Sequence, residues 1–275
     1  MMNERAYEVS LQTLEPFHIG GVGEPLSGKD NPIAVVGGKV AVPGSSLKGA
    51  LRSQIEQYLI NQFYDQAKSQ WKPDQRPLQP CMAATAVSVD EAELISKGLY
   101  RNDKPRPAPG CHYPCEINTK DDRGREHRGK CGDTPHSICP ACYLLGAQGL
   151  NGFIRVPFLF SDASQGSLYS ARMDRATRTV AERTNRPYQL LPDGVEFKGI
   201  MYITFQDDVL GWTLGKARPL KDKTTGDLWL SGKPWSEQEI VQKLVVDRLQ
   251  AINILGGYKS KGFGRVKITV TEKKT

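Results

Sequence analysis

Three groups of residues in this 275-residue chain have the types and spacing that do chemistry. The first is a set of cysteines. Five of the six lie between Cys111 and Cys142, in "CHYPC" and "KCGDTPHSICPAC". Cys139 and Cys142 form C-P-A-C, a spacing that places two thiolates on one knuckle for a tetrahedral metal. Cys131 stands just upstream, with Cys111 and Cys115 before it. The pattern points to structural zinc held by four among Cys111, Cys115, Cys131, Cys139 and Cys142, with His136 or His127 as substitutes for the fourth ligand. Disulfides are the weaker reading, because a chain without a secretory signal keeps its thiols reduced. A thioredoxin-like redox pair is weak too, since the neighbourhood is polar. A closed thiolate site leaves no position for a substrate, so its expected role is to staple a segment that cannot build its own core.

The second group lies in "DNPIAVVGGKVAVPGSSLKGALRS", from Asp30 to Ser53. "PGSSLKG" lacks the spacing of a Walker phosphate loop. It still puts Ser45 and Ser46 at a predicted helix start, where backbone amides favour an anion, with Lys48 and Arg52 following. As a plain cap, either serine would suffice. Lys48 so near the helix start opposes the helix dipole, which tilts the reading toward phosphate. Asp30 alone reads as a turn former. The third group is "GGYKSKGFGRV". Lys259, Lys261 and Arg265 alternate there with Gly256, Gly257, Gly262 and Gly264, and Tyr258 and Phe263 offer rings for stacking on bases. Its bland alternative is a basic surface turn. Arginine is also concentrated in "ARMDRATRTVAERTNRPYQ", where Arg172, Arg175 and Arg178 stand among five arginines against Asp174 and Glu182. A mobile or protruding arm is expected there.

Positioning these groups requires a framework. Tyr7, Val9 and Leu11 alternate with polar residues, as in a half-buried strand. "PIAVVGGKVAVPG" predicts a hairpin turning at Gly37-Gly38. Leu47, Leu51, Ile55, Leu59 and Phe63 make one stripe of a long helix, ended before Pro73 and Pro77. Residues 71–142 are poor in apolar runs and read as an insertion. "GFIRVPFLFSDA" and "VEFKGIMYITF" return to strand character. "PWSEQEIVQKLVVDRLQAINILGG" predicts a helix with a Ser236/Glu239 capping box. Its buried face runs through Ile240, Leu244, Val245, Leu249 and Ile252, and Gly256 marks its end. A strand follows. The order matches an α+β, ferredoxin-like (RRM-like) βαββαβ plan. Composition is that of a globular protein, 39% hydrophobic and 24% charged, and the net charge of +7 suits a polyanionic partner. "MMNERAYEVS" has no signal-peptide core and no apolar run approaches a membrane span, so the expected location is cytoplasmic, with no membrane partner.

Taken together and in this order, "HIGG", "DNPIAV", "VPGSSLKGALRS", "CPACYLLG" and "GGYKSKGFGRV" resemble the RAMP superfamily of CRISPR-associated proteins. Within it the chain is most similar to the repeating backbone subunit of type III effector complexes. The resemblance implies a palm over residues 1–70 and 143–275, a zinc-binding insertion over 71–142 and a thumb-like arm over about 165–192. It implies CRISPR RNA and target RNA as ligands, and other RAMP subunits, a large subunit and copies of itself as partners. His18 joins Ser45, Ser46, Lys48, Arg52, Arg172, Arg175, Arg178, Tyr258, Lys259, Lys261 and Arg265 as RNA-binding candidates. Asp30 matches the aspartate with which such subunits cut target RNA, with Mg2+ or another divalent metal as the cofactor of cleavage. The rival readings are a non-cleaving RNA-binding scaffold and an unrelated zinc enzyme. The latter lacks the H-x-E partner of a P-C-x-x-C motif.

Overall fold

The computed structural model describes residues 2–21, 32–82, 88–101, 116–120, 126–130, 138–147, 150–170, 173–180, 186–218, 227–231 and 235–273. The chain divides into two compact units. One comprises Met1–Arg5, Arg52–Arg155 and Tyr202–Arg248; the other comprises Ala6–Leu51, Val156–Met201 and Leu249–Thr275.

The second unit is built on a mixed α/β plan with antiparallel strand pairs. Neighbouring strands run in the order Val266–Glu272, Met2–Thr13 (in this unit from Ala6), Glu196–Asp207 (in this unit to Met201), Leu159–Ser161, Lys39–Val42 and Val35–Val36. Leu11 lies opposite Ile268, and Phe160 lies between Lys198 and Ala41. Tyr7, Val9 and Leu11 are buried as their alternation requires. The hairpin forms where expected: Val36 pairs with Lys39, and Gly37 and Gly38 take φ of 60° and 80°. Two consecutive left-handed residues make the tight turn whose twist matches the strands it joins.

A helix follows over Gly44–Phe63, and Leu47, Leu51, Ile55 and Leu59 are fully buried along its stripe. It begins one residue before the serines. The N–H groups of Ser46 and Leu47 donate to Pro43 O, so Ser45 and Ser46 occupy the first turn rather than the cap. Gly44 is there for space: a Cβ would sit 2.8 Å from Val156 O and 2.9 Å from Pro157 O.

In the first unit, Ile154–Arg155 and Trp212–Thr213 pair with the distal half of Glu196–Asp207. The short helix Pro140–Leu145 is buried at every position. Arg218 forms a buried pair with Asp227 at 3.1 Å, its guanidinium 4.5 Å from the Tyr143 ring. The Ser236/Glu239 capping box is present and opens a helix whose centre, Ile240–Val246, is π-helical. Ile240, Leu244, Val245 and Leu249 are buried as predicted. The helix ends at Gln250, earlier than Gly256. Gly256 instead serves a loop contact described below. Among the described residues, no helix is long and apolar enough to cross a membrane.

Candidate functional site

The second unit brings two of the sequence motifs together. "HIGG" follows the first strand, and "GGYKSKGFGRV" precedes the last. Gly257 N–H donates to His18 O at 2.8 Å, and a Cβ at Gly256 would meet the same oxygen at 2.3 Å. Gly256 has φ +90°, so both its conformation and its contact require glycine. The basic loop therefore lies directly on His18.

His18 is buried, with Nδ1 2.7 Å from Gln189 O, which fixes the ring. Its ring centre lies 4.8 Å from that of Tyr258 at an interplanar angle of 53°, and Tyr258 lies 5.0 Å from Tyr188 at 33°. Tyr258 itself has φ +57°, an uncommon conformation for a ring-bearing residue. Lys261 Nζ stands 5.2 Å from the Tyr258 ring centre. Lys259, Lys261 and Arg265 are exposed, and Arg265 reaches Glu15 at 3.6 Å. Phe263 differs from the expectation. It is buried beneath Tyr258 and Tyr188, so it supports the stack rather than offering a free face. A half-exposed tyrosine over a buried aromatic bed, rimmed by ammonium groups, suits a nucleobase and its phosphate.

Gly21 N–H donates to Pro32 O and Ala34 N–H to Ile19 O, each at 2.9 Å, so "HIGG" is also tied to the strand entering "VPGSSLKG". Asp30 lies outside the described residues. Ser45 and Lys48 are exposed and Ser46 is half-buried. Arg175 and Arg178 are exposed beyond a two-stranded ribbon, Gly166–Ser170 with Arg186–Leu190, which carries Tyr188 and Gln189 to His18. Arg172 lies outside the described residues.

The first unit holds the thiols. Cys81, Cys139 and Cys142 are buried, with all three sulfurs within 4.8 Å of one another. Cys81 Sγ is 3.4 Å from Cys142 Sγ and 3.7 Å from Cys139 Sγ. Zinc thiolates at the usual bond length stand ~3.8 Å apart in a tetrahedron, so the donor set fits a soft cation after small adjustment. Arg52 faces this cluster. Both of its terminal nitrogens lie 3.5 Å from Cys142 Sγ, and one donates to Gly146 O. Burial alone would lower its pKa, but the charges of Cys142 and Cys139 more than offset that and hold it above its ordinary value. Burial pushes the Glu56 carboxyl up to about 7, against the opposing pull of Arg52 at 3.5 Å. Cys111, Cys115, Cys131 and His136 lie outside the described residues, as does the side chain of His127. Cys81 was not a sequence candidate. It stands far from C-P-A-C in the chain, and no motif marks it.

Residues 10–267 match the RAMP superfamily. The chain belongs to that superfamily. No curated protein matches this RAMP chain. A solved structure similar to it is a chain of the type III-B Cmr-beta complex bound to cognate target RNA, at 12% identity and a TM-score of 0.45. The likeness covers 98% of this RAMP protein and 61% of that chain, so it spans about three-fifths of that neighbour's length.

Proposed function

We propose that this RAMP protein is an RNA-binding backbone subunit of a type III CRISPR effector complex, in antiviral defence, and that it cleaves guide-paired target RNA through Asp30. The observation that carries the reading is the seating of the glycine-basic loop on His18, with the Tyr258 ring tilted against those of His18 and Tyr188. Such a site holds ribose-phosphate by backbone amides and lysines and holds a base by a ring. The strand order Val266–Glu272, Met2–Thr13, Glu196–Asp207, Leu159–Ser161 is the order a βαββαβ ferredoxin-like palm has. The palm comprises residues 1–70 and 143–275, the insertion 71–142, and the ribbon around 165–192 serves as the thumb. CRISPR RNA, target RNA, further copies and other effector subunits are the partners.

Pro32 is held by Gly21, next to His18 in the chain. In this reading Asp30 positions the 2′-OH of a splayed ribonucleotide for in-line attack on the adjacent phosphorus, leaving a 2′,3′-cyclic phosphate and a 5′-OH. A lysine of the glycine loop steadies the charge on the phosphoryl oxygens. Cys81, Cys139 and Cys142 would hold a zinc ion apart from this chemistry, and the ion would then serve as a structural staple in the other unit.

The test is Asp30→Ala in the assembled complex with labelled target RNA. The expected outcome is loss of cleavage by a factor of at least about 100 with guide and target binding unchanged. Cutting at the same positions and rate removes Asp30 from the mechanism and favours a non-cleaving scaffold.

A further inference from the structure

His18 has one hydrogen-bonding atom that the site described above leaves unused. The residue is only 5% exposed. Its Nδ1 lies 2.7 Å from Gln189 O. A carbonyl oxygen only accepts, so Nδ1 carries the hydrogen. In the neutral ring the hydrogen bond at Nδ1 sets the tautomer, and Nε2 is left a bare acceptor. No donor among the described residues reaches Nε2. An acceptor without a partner on a buried side chain is uncommon in a folded protein and marks a place for a ligand.

Glycine keeps the Nε2 edge of the ring open. A Cβ at Gly20 would lie 4.0 Å from Nε2, and one at Gly257 would lie 3.2 Å from Cδ2. Gly20 is exposed and Gly257 half-exposed, so the opening leads to solvent. It lies beside Tyr258, whose ring centre is 4.8 Å from that of His18.

The chemistry of the free atom selects the ligand group. Phosphate oxygens are acceptors, and a bare nitrogen acceptor does not pair with them. It takes a donor. Base edges offer donors, but their placement changes with sequence, and a subunit repeated along a guide meets every base. Of the groups that all ribonucleotides share, the 2′-hydroxyl is the one that donates. We propose that His18 Nε2 accepts a hydrogen bond from the 2′-hydroxyl of a nucleotide lying against Tyr258, which makes His18 the residue by which this site tells RNA from DNA. The inference rests on the RNA-binding reading above.

The experiment titrates nuclease-treated full-length protein with short fluorescent oligouridylate, its 2′-fluoro form and its 2′-deoxy form. The 2′-fluoro sugar keeps an RNA-like pucker but has no hydrogen to donate. Wild type is expected to bind oligouridylate about three- to tenfold more tightly than either analogue, the difference that one hydrogen bond makes. Two variants remove this preference by different routes. His18→Phe keeps a ring against Tyr258 and removes the acceptor. Gly20→Val retains the acceptor and places methyl groups beside it; Gly20 pairs with Ile33 in an antiparallel bridge, a setting that suits valine. In both, the ratio of the affinities falls to about one. Because the ratio is taken within one protein, partial loss of folded material does not imitate the effect. Equal affinities of wild type for oligouridylate and its 2′-fluoro form overturn the inference and leave the RNA-binding reading standing. A preference that survives in either variant overturns it as well. Wild type that binds none of the three oligomers removes the RNA-binding reading itself, and the inference with it.

Discussion

Gly256 and Gly262 separate two uses of glycine in one loop. Both have positive φ, +90° and +79°, but only Gly256 is pressed against another backbone. Gly256→Ala should cost about 1–3 kcal/mol of stability through a strained φ and the clash with His18 O. It should also weaken RNA binding by displacing Tyr258. Gly262→Ala, with nothing within 4 Å of its added Cβ, should cost about 1 kcal/mol and leave affinity nearly unchanged. Thermal denaturation and RNA titration of the two variants check this, and equal effects would contradict the seating of the loop on His18. The glycines were legible as positions of close backbone approach because their chemistry is local. The contact with His18 was not, because nothing in the local pattern names a partner at the other end of the chain. For the same reason Phe263 looked like a second stacking ring, although it lies beneath Tyr258 and Tyr188.

At the scale of elements, hydrophobic periodicity located the long helix, the Gly37-Gly38 hairpin and the buried face of the Ser236-capped helix. Each is a short-range pattern with one solution. The boundaries were less legible. The helix over Gly44–Phe63 starts early because Gly44 alone fits against the Val156 and Pro157 carbonyls, a tertiary constraint. The later helix turns π-helical over Ile240–Val246 and stops at Gln250. The thiol cluster divides in the same way. C-P-A-C announced itself by spacing, whereas Cys81 joins it only through folding. If the cluster holds zinc, the purified protein should contain about one zinc per chain by elemental analysis, and Cys81→Ser should lose it with a fall in melting temperature of several degrees. Chelation should lower the melting temperature of wild type toward that of the variant. Full zinc retention in Cys81→Ser would exclude Cys81 as a ligand. Arg52, expected from sequence among the RNA-binding residues, lies against Cys142, where its charge opposes that of the thiolates.

At the scale of the whole molecule, the motifs that reveal the superfamily are spread from His18 to Val266, and the family match covers the same extent. Each motif is weak alone; their order along the chain carries the information, because the fold brings the first and last of them together. The central claim is that the resulting site grips RNA. Its most direct test is to purify the protein from its native host, extract any bound nucleic acid and sequence it. A discrete short RNA with a repeat-derived 5′ end, lost from a Tyr258→Ala, Lys261→Ala double variant that remains folded, is the predicted result. Protein that carries no RNA, or heterogeneous RNA retained equally by the double variant, would contradict it.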